Sequence, residues 1–80
     1  MKAVVVNSSA MGSGVFPIGK EFEVEENNLS CDLFNVIVMT KKFFSKEMKR
    51  DEYSAIAGRD GSIFVKGAFS PLAELKFIDL

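Results

Sequence analysis

The stretch Tyr53-Ser54-Ala55-Ile56-Ala57-Gly58-Arg59-Asp60-Gly61-Ser62-Ile63-Phe64-Val65 decides the class of the fold. Two apolar runs flank Gly58-Arg59-Asp60-Gly61. An Asp-Gly step between such runs is a strong hairpin signal, because a tight turn needs residues that tolerate positive φ. Tyr53, Ala55 and Ala57 fall on one side of the first strand, Ser54 and Ile56 on the other. Past the turn, Ile63 and Val65 alternate with Phe64 and Lys66. Period-two alternation on both arms predicts an all-β domain.

Upstream, Ala3 to Val6 is a β-branched run and reads as the first strand. Residues 7 to 14 form a loop rich in Ser and Gly, and Phe16-Pro17-Ile18-Gly19 continues it as a turn. Lys20 to Glu26 alternates, with Phe22 and Val24 on one face and Glu21, Glu23 and Glu25 on the other. That is a strand with one buried and one wet face. Leu33 to Thr40 is the most apolar segment, interrupted only by Asn35, and is expected to be a strand buried on both faces. Three β-branched residues in a row, Val36 to Val38, favour strand over helix there.

Residues 41 to 52 stay open among a short helix over 46–52 capped by Ser45, a charged loop, and a continued strand. Downstream of the hairpin, Ser70 suits an N-cap and Pro71 a first helical position. Phe69, Leu72 and Leu75 are spaced as in one short helical turn. Lys76 to Leu80 reads as a last strand with Phe77 and Leu80 inward. The whole is a single domain, residues 1 to 80: a mostly antiparallel barrel of five to six strands with one short helical turn near the C-terminus.

Composition narrows function by exclusion. The chain has no His, which removes Ser-His and Cys-His nucleophile pairs and the commonest general base. The single cysteine, Cys31, forms no internal disulfide and, between Ser30 and Asp32, has no cation to activate it. Gly12-Ser13-Gly14 follows a strand but lacks the third glycine and following helix of a dinucleotide fingerprint. Glu21, Glu23, Glu25, Glu26 and Asp32 form an acidic block. Alternate positions on one strand place carboxylates about 7 Å apart, too far for one cation, so a solvated face or an acidic partner strip is expected. No cofactor, no metal and no enzymatic activity are expected; an enzyme would need Tyr53 with Asp60 or Glu52, and no spacing supports it.

Net charge is −1, so no global field favours nucleic acid. Only four apolar residues, Ala3 to Val6, follow Met1-Lys2, too few for a signal peptide, and no apolar run approaches the ~20 residues of a membrane span. A cytoplasmic protein with no membrane partner is the expectation.

The segment that stands out is Lys41-Lys42-Phe43-Phe44-Ser45-Lys46-Glu47-Met48-Lys49-Arg50. It holds five of the ten basic residues, interleaved with two Phe and one Met. Aromatics and Met anchor protein interfaces, and basic groups suit an acidic partner. The same mixture suits single-stranded nucleic acid, where cations track phosphates and rings stack on bases. The plain alternative is a strand end with Phe43 or Phe44 in the core and wet lysines. Candidate partner-binding residues are Lys41, Lys42, Phe43, Phe44, Lys46, Met48, Lys49 and Arg50. Charge is segregated: residues 21 to 32 carry five acids and no base, while 41 to 50 carry five bases and one acid, Glu47. The two poles are expected to attract each other within one barrel or between molecules.

The order of elements resembles a small SH3-like barrel: Lys2 to Val6, a long loop, Gly19-Lys20-Glu21-Phe22-Glu23-Val24, a central strand, the Asp60-Gly61 hairpin, then Pro71-Leu72 before a final strand. It is also similar to the short barrel-like proteins that bacteriophages encode as accessory or host-takeover factors. The resemblance carries over architecture only; the lack of catalytic residue types, the small size and the charged-aromatic stretch give the expected function, a non-enzymatic interaction module of the phage accessory type that binds and modulates a host protein. The aromatic pair and acidic loop of eukaryotic SH3 peptide grooves are not recognisable, so proline-rich ligand binding is not implied. Single-stranded or non-specific nucleic-acid binding through residues 41 to 50 is the alternative.

Overall fold

A computed structural model describes residues 1–29, 31–41, 44 and 46–79. They form six strands: β1 (Lys2–Ser8), β2 (Glu21–Glu26), β3 (Leu33–Lys41), β4 (Met48–Ala57), β5 (Ser62–Val65) and β6 (Ala73–Phe77). Every strand pairs antiparallel with its neighbour in sequence, and β6 pairs with β1. The sheet is therefore a closed barrel with consecutive strands side by side. Closure removes the exposed sheet edges that invite aggregation, within the paired region.

The alternation read from sequence selects the two faces. In β2, Phe22 and Val24 are buried while Glu21, Glu23 and Glu25 are exposed. Inward positions from all six strands meet: Ala3, Val5, Phe22, Val24, Val36, Val38, Ala55, Ile63, Val65, Ala73 and Leu75 make one core. The hairpin forms as its sequence demands, with Gly58 N–H donating to the Ser62 carbonyl at 2.8 Å and Gly61 at φ +81°. Beyond the turn, the Ser62 hydroxyl donates to the Asp60 carboxylate. That bond, above all, holds the Asp60 carboxyl below the ordinary carboxylate range.

Phe16 was placed in a turn by its neighbours Pro17 and Gly19, yet it is fully buried. Its ring lies 5.1 Å from that of Phe22 and 5.2 Å edge-on from Tyr53, so the 9–20 connection folds inward and plugs one end of the barrel. The connection is held by main chain. Ser9 N–H donates to the Leu72 carbonyl (2.9 Å), and Gly12 N–H donates to Ser9 Oγ (3.1 Å). A side chain on Gly12 would collide with the Leu72 carbonyl, so this glycine serves close backbone approach and not a phosphate or a flexible loop.

Three expectations are corrected. No helix is present among the described residues. The helical turn expected at Ser70-Pro71 is a bend, because Leu72 N–H is taken by the Val65 carbonyl (2.9 Å) and its carbonyl by Ser9. Leu72 and Leu75 turn inward, but Phe69 stands almost wholly in solvent, at 99% exposure. The last strand runs 73–77 and not 76–80; Phe77 packs against Phe34, ring centroids 5.4 Å apart, and Leu80 lies outside the described residues. Finally, β3 is buried on both faces only at Val36, Ile37 and Val38; Met39 and Thr40 are exposed. Ile37 sits on the outer face between Glu23 and Glu52, whose aliphatic stems can cover it.

Candidate functional site

Of the three readings of residues 41 to 52, strand continuation holds for 48–52: Met48 to Glu52 pair with Lys41 to Ile37 as the first half of β4. Ser45, the proposed cap, lies outside the described residues. The β3–β4 hairpin outgrows the barrel. β2 pairs with β3 only as far as Ile37, and β5 pairs with β4 only from Ala55 onward. Residues 38–41 and 48–51 thus pair with each other and with no other strand, making a two-stranded arm. Ten residues at about 3.3 Å each give β4 a length of about 33 Å. The molecule measures 42 × 28 × 24 Å, so only the 42 Å axis accommodates this hairpin.

Directly opposed residues in an antiparallel pair share a face. One face of the arm continues the barrel interior and carries Val38 with Asp51 and Thr40 with Lys49. The other carries Ile37 with Glu52, Met39 with Arg50, and Lys41 with Met48. On this outer face Met39 and Met48 are about half exposed, and beyond them at the tip Phe44 is 95% exposed. Phe44 is therefore not the core residue that the plain reading allows.

The basic residues divide. Arg50 Nη2 donates to Glu25 Oε1 at 2.9 Å and to Glu52 Oε1 at 3.2 Å. Since Glu25 is on β2, this contact reaches across β3 and joins the two charge poles within one molecule. Lys49 Nζ lies 3.8 Å from Asp51 Oδ2 on the opposite face. All these side chains are about half exposed, so each pair is worth at most about 1 kcal/mol. Lys41 and Lys46 make no ion pair among the described residues, and both are exposed.

Of the eight candidate residues, the arm brings Lys41, Met48 and Arg50 to one face, puts Phe44 and Lys46 in the tip, and turns Lys49 away. Lys42 and Phe43 lie outside the described residues. A second exposed apolar region was not foreseen. Phe69 and Pro71 in the β5–β6 connection, with Ile56 and Phe64 on the outer sheet face, border a cleft of about 230 Å³. Pairing of Ile56 with Phe64 was legible once the hairpin register was set; the solvent position of Phe69 had no sequence signal apart from Gly67 and Ser70 beside it.

No protein-family model matches the chain, and neither a curated protein nor a solved structure shows a significant similarity to it.

Proposed function

We propose that this chain is a non-enzymatic interaction module that binds a protein partner through the tip and outer face of its β3–β4 arm. One observation carries the reading: the arm leaves the barrel and ends in Phe44, 95% exposed, beside Lys46, Met48 and Lys41. A solvent-exposed aromatic ring and a half-exposed methionine are residue types that anchor interfaces. The flanking lysines fit an acidic rim on the partner. The small size and the lack of catalytic residue types extend this proposal to a phage-type accessory protein that modulates a host protein in the cytoplasm.

Single-stranded nucleic acid is the second reading of the same segment. Arg50 is committed to Glu25 and Glu52, and Lys49 to Asp51. Cations already paired with carboxylates neutralise fewer phosphates, which favours the protein reading. The test is capture of partners from lysate by the tagged chain, with and without nuclease, beside Phe44→Ala and the double substitution Lys42→Glu with Lys46→Glu. A discrete protein retained after nuclease by the parent and lost by both variants, with unchanged thermal unfolding, is the expected result. Retention by both variants removes the arm tip from the reading; material that vanishes with nuclease transfers it to nucleic acid.

A further inference from the structure

The arm leaves free main chain as well as side chains, and the hydrogen-bond parity identifies which groups. Ala57 N–H donates to the Asp32 carbonyl on the β3 side, at 2.9 Å. The Ser54 carbonyl accepts from Lys66 N–H on the β5 side, also at 2.9 Å. Directions alternate along a strand, so Tyr53, Asp51 and Lys49 bond toward β3, and Glu52, Arg50 and Met48 point the other way. The β4–β5 ladder does not reach these three residues, and no backbone partner on that side is present among the described residues. Met48, Arg50 and Glu52 therefore present three N–H donors and three carbonyl acceptors on an open edge. Such an edge is a template for another strand.

We infer that this β4 edge pairs antiparallel with the same edge of a second copy of the chain, joining two arms into one four-stranded ribbon. The occupant is chosen by charge. The edge reads Lys49-Arg50-Asp51-Glu52, two bases and then two acids. Run antiparallel about a two-fold axis at Arg50, Met48 faces Glu52 of the second copy and Arg50 faces its symmetry mate. All three donors and acceptors of each copy are used, giving six inter-chain hydrogen bonds. The same register sets Lys49 opposite Asp51 of the second copy, twice, on the closely spaced positions of the ladder. The facing Arg50 pair is flanked by both copies of Glu52 and Glu25, which already hold Arg50 within each chain. Shifting the register by two so that Arg50 faces Glu52 sets Met48 against Ser54, whose carbonyl is already taken by Lys66. The opposite edge of the arm, on β3, offers only Met39 and Lys41, and its single charge sign repels a second copy.

This contact is separate from the tip, so Phe44→Ala is expected to leave it intact. The experiment is sedimentation equilibrium of the full chain from micromolar to millimolar concentration, with amide hydrogen exchange at both ends of that range. The expected result is a reversible dimer in which the amides of Met48, Arg50 and Glu52 gain at least tenfold protection with concentration. Those of Lys49 and Asp51, already bonded to β3, do not change. Arg50→Pro deletes an outward donor only, and proline is tolerated on a strand edge; it is expected to raise the dimer dissociation constant at least tenfold. A second pair of variants does not depend on proline. Lys49→Asp sets two acids against two acids and weakens the dimer, and adding Asp51→Lys restores the complementarity and the dimer. A chain that stays monomeric throughout overturns the inference, as does a dimer indifferent to Arg50→Pro or one that the charge exchange fails to rescue.

Discussion

Replacing Phe16 by alanine tests whether the 9–20 connection is a structural plug. Phe16 is fully buried and contacts Phe22 and Tyr53 at ring distances of 5.1 and 5.2 Å. Truncating a buried Phe costs about 3–5 kcal/mol from lost transfer energy and the cavity left behind. The two tilted or edge-on ring pairs place this site toward the upper half of that range. An 80-residue domain has a total stability of about 4–12 kcal/mol, so the substitution removes a large fraction. At about 4–8 °C per kcal/mol for a chain of this size, the melting temperature should fall by roughly 16–40 °C. The assay is thermal and urea unfolding followed by far-UV circular dichroism, with Phe69→Ala as the comparison. Both phenylalanines lie in connections between strands, yet Phe69 is 99% exposed and its truncation should change stability by less than about 0.5 kcal/mol. Equal effects of the two substitutions, or a loss below about 1.5 kcal/mol at Phe16, would refute the plug.

Two further outcomes follow from single contacts. Gly12→Ala drives a methyl group against the Leu72 carbonyl and should destabilise the chain by about 1–3 kcal/mol in urea unfolding, whereas Gly14→Ala, where a Cβ meets open space, should not. Asp60 titrates below the ordinary carboxylate range because the Ser62 hydroxyl donates to it, so its share of stability is full above the unfolded carboxylate pKa and fades as pH falls through the lower folded value. Ser62→Ala should move the Asp60 titration, followed by carboxyl NMR, back up toward the ordinary range; an unmoved titration would mean that the backbone of the turn, and not the hydroxyl, sets it.

The parts of the fold that were legible are those in which local pattern and tertiary need agree. Phe22 and Val24 alternate with glutamates and end up as drawn, and Asp60-Gly61 turns where it must. The parts that were not legible are settled by distant partners. Phe16 has turn-formers beside it, and its burial depends on packing against Phe22 and, far along the chain, Tyr53. Ser70-Pro71-Leu72 has the composition of a helix start, but the amide of Leu72 finds Val65 and its carbonyl finds Ser9, so one bond to the end of β5 and one to the far end of the chain displace a one-turn helix that is barely stable alone. Residues 48 to 52 have charged, helix-compatible side chains with no alternation of their own. Their state is fixed by the register imported from Val36 and Ile37 through the β3–β4 ladder. The basic-aromatic segment was visible as composition, whereas its division between two faces, with Lys49 turned away from Lys41, required that register.

Closure of the barrel also bears on where function can reside. In a meander whose last strand pairs with its first, main-chain donors within the ladder are consumed, and inward side chains are consumed by the core. What remains for recognition is outer-face side chains, loops, and any strand that outgrows its neighbours. β3 and β4 are the two longest strands, nine and ten residues, and they extend at the end where β2 and β5 stop. Their extra length buries little: of the paired arm residues past Ile37, only Val38 joins the core. Ordering these residues costs about 1–2 kcal/mol each in backbone entropy, and their exposed pairs return little of it. An extension that adds so little to the fold is supported by the barrel rather than supporting it. Substitutions at Lys41, Phe44, Met48 or Arg50 should therefore alter association with little change in melting temperature, while substitutions at Val36 or Tyr53, where the arm meets the barrel, should alter both together.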